Sequence, residues 1–148
     1  MPFVPTGPAP LLVSACLLGV RCNHRGQASP SAAVEALGER YRLIPICPET
    51  AGGLPTPRPA AELQPDGTVR TAAGDDVSVF YARGAAAAVA LASVVGATEA
   101  VLKARSPSCG CAGVYDGTFS HTVRPGAGVT ALALLQAGLS VRSEEDLT

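Results

Sequence analysis

The sequence has no tryptophan, and aromatic residues make up only 4% of it. Charged residues are also scarce: they account for 16% of the chain, and 11 basic against 12 acidic residues leave a net charge of −1. A core without large rings is built from alanine, valine and leucine, which favours a helix-covered sheet over an aromatic-rich sandwich. Because neither sign of charge dominates, we expect no duplex nucleic acid among the partners.

The chain also lacks the marks of a segment that enters or crosses a membrane. Residues 1–16 carry no basic residue and are interrupted by prolines, unlike a secretory signal peptide. The nearest approach to an uninterrupted apolar run, at 85–97, is shorter than the roughly 20 residues that a bilayer requires. We expect a cytoplasmic protein with no membrane partner. Residues 1–10 are predicted to be a flexible arm, and residues 11–148 a single domain.

Five cysteines are the chemically distinctive residues of this chain. Cytoplasmic proteins keep their thiols reduced, so structural disulfides are not expected, and the odd count argues the same way. Metal ligation or thiol chemistry is the sharper hypothesis. Burial of cysteine as a small hydrophobic residue is the alternative.

The order of the apolar runs predicts an α/β fold. Strands are predicted at 11–15, 42–46, 99–104 and 139–143, and a Pro-Asp-Gly turn near residue 66 predicts a hairpin or a surface excursion. Helices are predicted at 31–41 behind a Ser29 cap, at 77–96 behind Asp75 or Asp76, and at 129–138. The helix at 77–96 is apolar nearly all round and is expected to be well covered. This alternation predicts a single-domain, open, mostly parallel sheet of Rossmann-like type with helices on both faces.

Three cysteines follow three successive predicted strands: Cys16 the first, Cys47 the second and Cys109 the third. Open parallel sheets bind their ligands beyond the carboxyl ends of the strands. The three thiols therefore converge if the strands are neighbours, and the sequence predicts a site at that edge of the sheet.

The spacing of the thiols leaves three interpretations open. Thiolates hold iron–sulfur clusters, usually four at a time, and three would leave one iron open. Zinc, with His24 or Cys111 as a fourth ligand, is disfavoured because the chain lacks the usual paired spacing of zinc ligands. Thiol catalysis rests only on the Cys-x-Cys pair at 109–111, which is a weak signal.

Six segments occur together and in order along the chain: VSACLLGVRCNHRG, CPETAGGLPTPRPAAEL, GDDVSVFYARGA, LKARSPSCG, VYDGTFS and GAGVTALALLQAGLSVRSEE. Through these segments the sequence resembles the thiouracil desulfidase family over residues 11–145. Each segment is short, but six of them in one order are highly specific.

The resemblance implies a [4Fe–4S] cluster held by Cys16, Cys47 and Cys109. The fourth iron is then open to the sulfur of a thiolated base or nucleoside. The implied reaction converts C=S to C=O with release of sulfide and without redox change. A non-catalytic module that carries a cluster or binds a sulfur compound is the alternative, and a zinc-binding domain is the third hypothesis.

Hydrolysis of a C–S bond needs a base that aims water at the carbon. Glu49 lies two residues after Cys47 and is the candidate for this base. Ser106 and Ser108 lie just before Cys109, and one of them is expected to relay a proton or hold the base, with Ser106 favoured.

The chain departs from the family pattern in its first loop. Many members carry Arg-Tyr-Asp-Gly where this sequence has Asn-His-Arg-Gly at 23–26, and substrate choice differs if this loop shapes the pocket. Cys22 is expected to be a plain loop or core cysteine. Cys111 is an extra thiol that either covers the open iron or has no role. Arg58 is left open between pairing with Glu62 and contacting the substrate.

Overall fold

The computed structural model describes residues 7–147, and a four-stranded parallel sheet in the order β2-β1-β5-β8 is its centre. The strands are β1 (Ala9–Ser14), β2 (Tyr41–Ile46), β3 (Ala61–Leu63), β4 (Val69–Thr71), β5 (Glu99–Leu102), β6 (Gly113–Tyr115), β7 (Val123–Pro125) and β8 (Ser140–Ser143). The four predicted strands are the four strands of this sheet. Residues 1–6 of the predicted arm lie outside the described residues. Its last two residues, Ala9 and Pro10, belong to β1.

Four α-helices accompany the sheet. They are α1 (Ala32–Ala36), α2 (Pro48–Ala51), α3 (Ser78–Val95) and α4 (Val129–Gln136), with 3₁₀ turns at Ala15–Leu18, Leu37–Glu39 and Glu144–Asp146. The sequence did not predict α2. The β3–β4 hairpin was predicted, whereas the β6–β7 hairpin was not.

The prediction that Ser29 caps the first helix was wrong. The cap is Ser31, whose Oγ accepts the N–H of Val34 at 3.3 Å. The N–H groups of Ser29 and Ser31 donate to the carbonyls of Cys16 and Leu17, so this segment is still extended beside the first turn after β1. The first helix therefore starts later than expected, and its entry is tied to the Cys16 turn.

The two faces of the sheet carry two separate clusters of buried side chains. Successive strand residues point to opposite faces, so Leu12 and Leu102 pack with α3 and α4, whereas Leu11, Val13 and Val101 pack with the chain around α1. Helices therefore lie on both faces, and the predicted fold class is confirmed.

The α3 helix is less covered than its composition suggested. Its buried residues form one stripe, Tyr81, Gly84, Ala85, Ala88 and Ala92, while Val94 on the other side is 84% exposed. By length and composition alone α3 could cross a membrane, but core helices of soluble proteins pass the same test. The expectation of a well-covered helix was wrong. The expected Asp76 does support the start of α3, because its Oδ1 accepts the N–H of Ser78 at 2.9 Å, although the capping position itself is Val77.

Candidate active site

A cavity of about 450 Å³ opens at the carboxyl edge of the sheet. Its walls include Cys16, Cys47 and Cys109, which come from the ends of three neighbouring strands, β1, β2 and β5. The predicted Glu49 and Ser106 also line it. The predicted convergence of strand-end thiols is thus present in the structure.

Each of the three thiols is held by a turn that starts where a strand stops. Cys16 lies in the 3₁₀ turn after β1, which ends at Gly19 in the left-handed conformation. Cys47 caps α2, whose first residue is Pro48. Proline suits that position because its missing N–H would have no partner in the helix. Cys109 lies in the turn that follows β5.

Hydrogen bonds and one close backbone contact fix the Cys109 turn to the start of α4. The carbonyls of Pro107 and Ser108 accept the N–H groups of Val129 and Thr130, both at 2.9 Å. A Cβ at Gly128 would lie 2.6 Å from the Ser108 carbonyl oxygen. Only glycine permits this approach, so the position of Cys109 depends on the helix behind it.

The two candidate serines have different places. The Oγ of Ser106 accepts the N–H groups of Ser108 and Cys109, at 3.1 and 3.0 Å, and its own O–H remains available to donate. Ser108 is fully buried and shares a 2.8 Å hydrogen bond with Thr130. Ser108 is not among the residues that line the cavity, and its hydroxyl braces the turn against α4.

All five cysteines are free thiols, and the surroundings of Cys16 and Cys109 disfavour the thiolate in the absence of a metal. Burial, followed by the charge of Cys47, raises the pKa of Cys16 to about 11. Burial raises the pKa of Cys109 to about 12. Binding of a metal centre by these cysteines must therefore displace the thiol protons. A strongly positive metal centre lowers the pKa of its ligands enough to do this.

The donor set fits an iron–sulfur cluster better than a single ion. Among residues 7–147, no group of three or more His, Cys, Asp or Glu side chains is compact enough to hold one metal ion, as tetrahedral zinc requires. Three strand-end thiols around a roomy cavity, whose wall also includes Cys22, suit a larger polynuclear centre. The zinc hypothesis, with His24 or Cys111 as a ligand, therefore has no geometric support.

Cys111 lies away from this cavity and lines a smaller one near the C-terminal turn, so the structure does not place it over an open iron.

Two side chains orient the Glu49 carboxylate. Its Oε1 accepts hydrogen bonds from Arg58 Nε at 3.0 Å and from the Tyr81 hydroxyl at 2.8 Å. The Arg58 side chain is only 4% exposed. Burial opposes the charge of this guanidinium, but Glu49 outweighs burial and the pKa of Arg58 is raised. Arg58 pairs with Glu49 and not with Glu62, so the first of the two alternatives left open for it was wrong. Arg58 lines the cavity, and its contact with a substrate stays a prediction.

Arg58 also ties this carboxylate to the first cysteine loop. Its Nη2 donates to the Cys22 carbonyl at 2.8 Å and lies 4.0 Å from Cys47 Sγ. Cys22 is buried at the cavity wall, where burial and the neighbouring Cys47 raise its pKa to about 12. The first three residues of the 23–26 loop, in which this chain departs from the family pattern, also line the cavity.

Sequence reasoning did not place Tyr81 at this cavity, and it considered Glu62 only as a partner of Arg58, although both residues line the cavity. Tyr81 is the one large polar side chain in the buried stripe of α3, and burial raises its pKa. That isolated hydroxyl among alanines was the available signal, because a buried Tyr O–H requires a partner. Glu62 ends the Arg-Pro-Ala-Ala-Glu segment and is 8% exposed.

The fold and the cavity define a class: α/β proteins with a thiolate site for an iron–sulfur cluster at the carboxyl edge of a parallel sheet. Residues 11–146 match the 2-thiouracil desulfurase family, and the chain belongs to that family. It is similar to the uncharacterised protein YbbK of Bacillus subtilis (strain 168), at 40% identity over 146 residues that cover 93% of this chain and 97% of YbbK.

A solved structure adds the cofactor. The chain is similar to the [4Fe–4S]-dependent thiouracil desulfidase TudS, with a TM-score of 0.87 and 42% identity over 94% of this chain and 93% of that one. The resemblance read from the six sequence segments is thereby confirmed.

Proposed function

We propose that this protein is a [4Fe–4S]-dependent desulfidase that converts the thiocarbonyl of a thiouracil-like base or nucleoside to a carbonyl. The balanced reaction takes up one water and releases one hydrogen sulfide, with no change of oxidation state. The observation that carries the proposal is the arrangement of three strand-end thiols and an oriented carboxylate on one cavity.

Cys16, Cys47 and Cys109 are the residues that would hold the cluster. When bound, it supplies a thiophilic Lewis acid that polarises the C–S bond and accepts the leaving sulfur. All three cysteines line the cavity, so a substrate bound there would have its sulfur within reach of the cluster.

Glu49 is the proposed general base. Both of its observed hydrogen bonds are received by Oε1, and the described residues provide none to Oε2. That oxygen is the one that takes a proton from the attacking water. Arg58 and Tyr81 are positioning residues in this scheme, because they fix the plane of the carboxylate without entering the reaction.

Ser106 is the proposed second polar group. Its Oγ already accepts two backbone N–H groups of the Cys109 turn, so its own hydrogen is directed elsewhere. A donor at this point suits the oxygen or ring nitrogen of a substrate whose sulfur faces the three thiols. Ser108 acts only through the turn that it braces.

The partner is a small thiolated base or nucleoside, and we propose a cytoplasmic enzyme. Five free cysteines, four of which line one cavity, suit a compartment that keeps thiols reduced. Polar and charged side chains line the cavity together with apolar and aromatic ones, and such polar groups fix the orientation of a small molecule in its site.

Anaerobic reconstitution with iron and sulfide tests the proposal. We expect a brown protein whose iron and sulfide counts fit one cluster, and which converts 4-thiouracil to uracil with release of sulfide. Cys47→Ala should lose the visible absorption, whereas Cys111→Ala, outside the cavity, should retain both absorption and activity.

The Glu49→Gln variant separates an enzyme from a carrier. It should keep the cluster spectrum and lose turnover by about 10²-fold or more, which is the usual contribution of a general base. A wild-type protein that binds the cluster but releases no sulfide from any thiouracil would support the non-catalytic alternative. A colourless protein after reconstitution would overturn the mechanism.

A further inference from the structure

Glu62 anchors the tip of the β6–β7 hairpin at the wall of the cavity. Its Oε1 accepts the N–H groups of Gly117 and Phe119, at 3.0 and 3.1 Å. The residue is 8% exposed, and no cationic side chain among residues 7–147 forms an ion pair with it. A buried carboxylate without a counter-charge is costly unless its oxygens are engaged.

The structural role of Glu62 uses only one of its two oxygens. Both backbone donors bind Oε1, and the described residues give Oε2 no hydrogen-bond partner. In the described chain, Arg124 Nε is the only fully enclosed side-chain nitrogen or oxygen without a hydrogen-bond partner. Because Oε2 of Glu62 also lacks a partner, it is not fully enclosed. Oε2 is therefore accessible, and Glu62 lines the cavity. Anchoring the hairpin needs only one acceptor oxygen, which the side-chain amide of a glutamine would also provide. A glutamate at this position therefore has a second acceptor, Oε2, that the anchor does not use.

The hairpin that Glu62 holds brings aromatic side chains to the same wall. Phe119 and Tyr115 both line the cavity. Phe119 has a φ of 58°, a left-handed conformation that is strained for a bulky side chain. Its N–H is one of the two that Glu62 accepts, so the carboxylate stabilises the conformation that places the ring beside the cavity.

We propose that Glu62 determines specificity by accepting the ring N–H of a thioamide heterocycle through Oε2, while Phe119 packs against the face of its ring. The inference rests on the proposed function and names the part of the substrate that is recognised. A carboxylate accepts hydrogen bonds and cannot donate them, so this wall selects rings that carry an N–H and rejects those in which that nitrogen is alkylated.

Glu62→Gln tests this contact while preserving the anchor. The Gln oxygen can still accept from Gly117 and Phe119, but an NH₂ donor replaces Oε2 and faces the N–H of the substrate. We expect KM for 4-thiouracil to rise about tenfold or more, the usual effect of losing a hydrogen bond to a charged group, with kcat nearly unchanged. The melting temperature and the cluster spectrum should match those of wild type. Glu35→Gln, an exposed carboxylate on α1, is the matched control and should change nothing.

N-methylated substrates test the same contact without a variant. Wild type should have a higher KM for either 1-methyl- or 3-methyl-4-thiouracil than for 4-thiouracil. The factor should equal the rise in KM for 4-thiouracil that Glu62→Gln causes. The variant should show no further loss with that compound. The identity of the rejected isomer assigns the nitrogen that Glu62 recognises, and rejection of the 1-methyl compound would argue against nucleosides as substrates.

Equilibrium dialysis of 4-thiouracil with the cluster-loaded protein gives the same comparison as a dissociation constant. A wild type that binds the base without turnover would contradict the proposed function while still measuring the Glu62 contact. Equal affinity of wild type and Glu62→Gln for 4-thiouracil, or equal acceptance of both methylated compounds by wild type, would overturn the inference. A variant that loses its cluster or melts early would show that Glu62 is structural, and the methylated compounds on wild type would then decide.

Discussion

The contact between α2 and α3 offers the sharpest test of how the fold positions the site. A Cβ built at Gly84 would clash with the Pro48 carbonyl and lie 3.2 Å from Pro48 Cα, and one built at Gly52 would clash with the Phe80 carbonyl. Contacts of carbon with carbonyl oxygen settle at about 3.3 Å or more. The Gly84→Ala substitution must therefore push α2 away by about 1 Å, and Pro48 lies between Cys47 and Glu49.

The free energy of unfolding shows which effect dominates in Gly84→Ala. An alanine in an open helix position would stabilise α3 by about 1 kcal/mol over glycine. Overpacking costs about 1–3 kcal/mol, and here the upper end applies because the obstructing atoms belong to the backbone and cannot rotate aside. We expect a net destabilisation of about 2 kcal/mol. A shift of about 1 Å in catalytic groups can cost 10²-fold in rate, so turnover should fall by more than the stability alone explains.

Urea unfolding of the reduced, cluster-free protein and turnover of the reconstituted enzyme measure the two effects. The exposed Ala86→Gly on the same helix is the control. It should lose about 1 kcal/mol through helix propensity alone and keep full activity. A Gly84→Ala protein that is as stable as wild type and turns over at the same rate would refute the argument that close backbone packing sets the position of Cys47 and Glu49.

Three further predictions concern groups around the cavity. Tyr81→Phe removes one of the two donors to Glu49 Oε1, so kcat should fall about tenfold, the equivalent of about 1.4 kcal/mol, with the cluster spectrum unchanged; an unaltered pH–rate profile and kcat would contradict the positioning role. Thr130→Val leaves the buried Ser108 hydroxyl without its partner and should cost about 1–3 kcal/mol in urea unfolding, whereas a neutral result would show that water replaces the hydroxyl. Burial raises the pKa of Cys109 from 9.0 to about 12, so this thiol stabilises the cluster-free fold fully below about pH 9 and loses that contribution as the pH rises towards 12. Unfolding midpoints measured at increasing alkaline pH should therefore fall more steeply in wild type than in Cys109→Ala, and equal slopes would contradict the assignment.

The sequence was sufficient to predict the main sheet because each of its strands is an apolar run with clear ends. The same pattern located the cysteines, since a residue that follows a buried strand in a parallel sheet must emerge at the carboxyl edge. Nothing more than strand adjacency was needed to bring Cys16, Cys47 and Cys109 to one cavity.

Short elements and long-range pairs could not be predicted in the same way. The α2 helix has four residues and the strands of the β6–β7 hairpin have three each, too few to produce a periodic pattern. The partner of Ser108 lies 22 residues further along the chain, and Tyr81 reaches Glu49 across 32 residues. Such pairs form only after the helices have packed, so local sequence carries no information about them.

The composition and the site have a common physical basis. The stripe of α3 that faces the sheet and α2 contains glycine and alanine apart from Tyr81, which lets α2 approach closely enough for that hydroxyl to reach Glu49. A second close approach, at Gly128, holds the turn of Cys109 against α4. Larger side chains at these contacts would separate the helices and move the thiol-bearing loops apart. The scarcity of large side chains therefore affects more than the core, because it allows the loops from three strand ends to be held around one cavity.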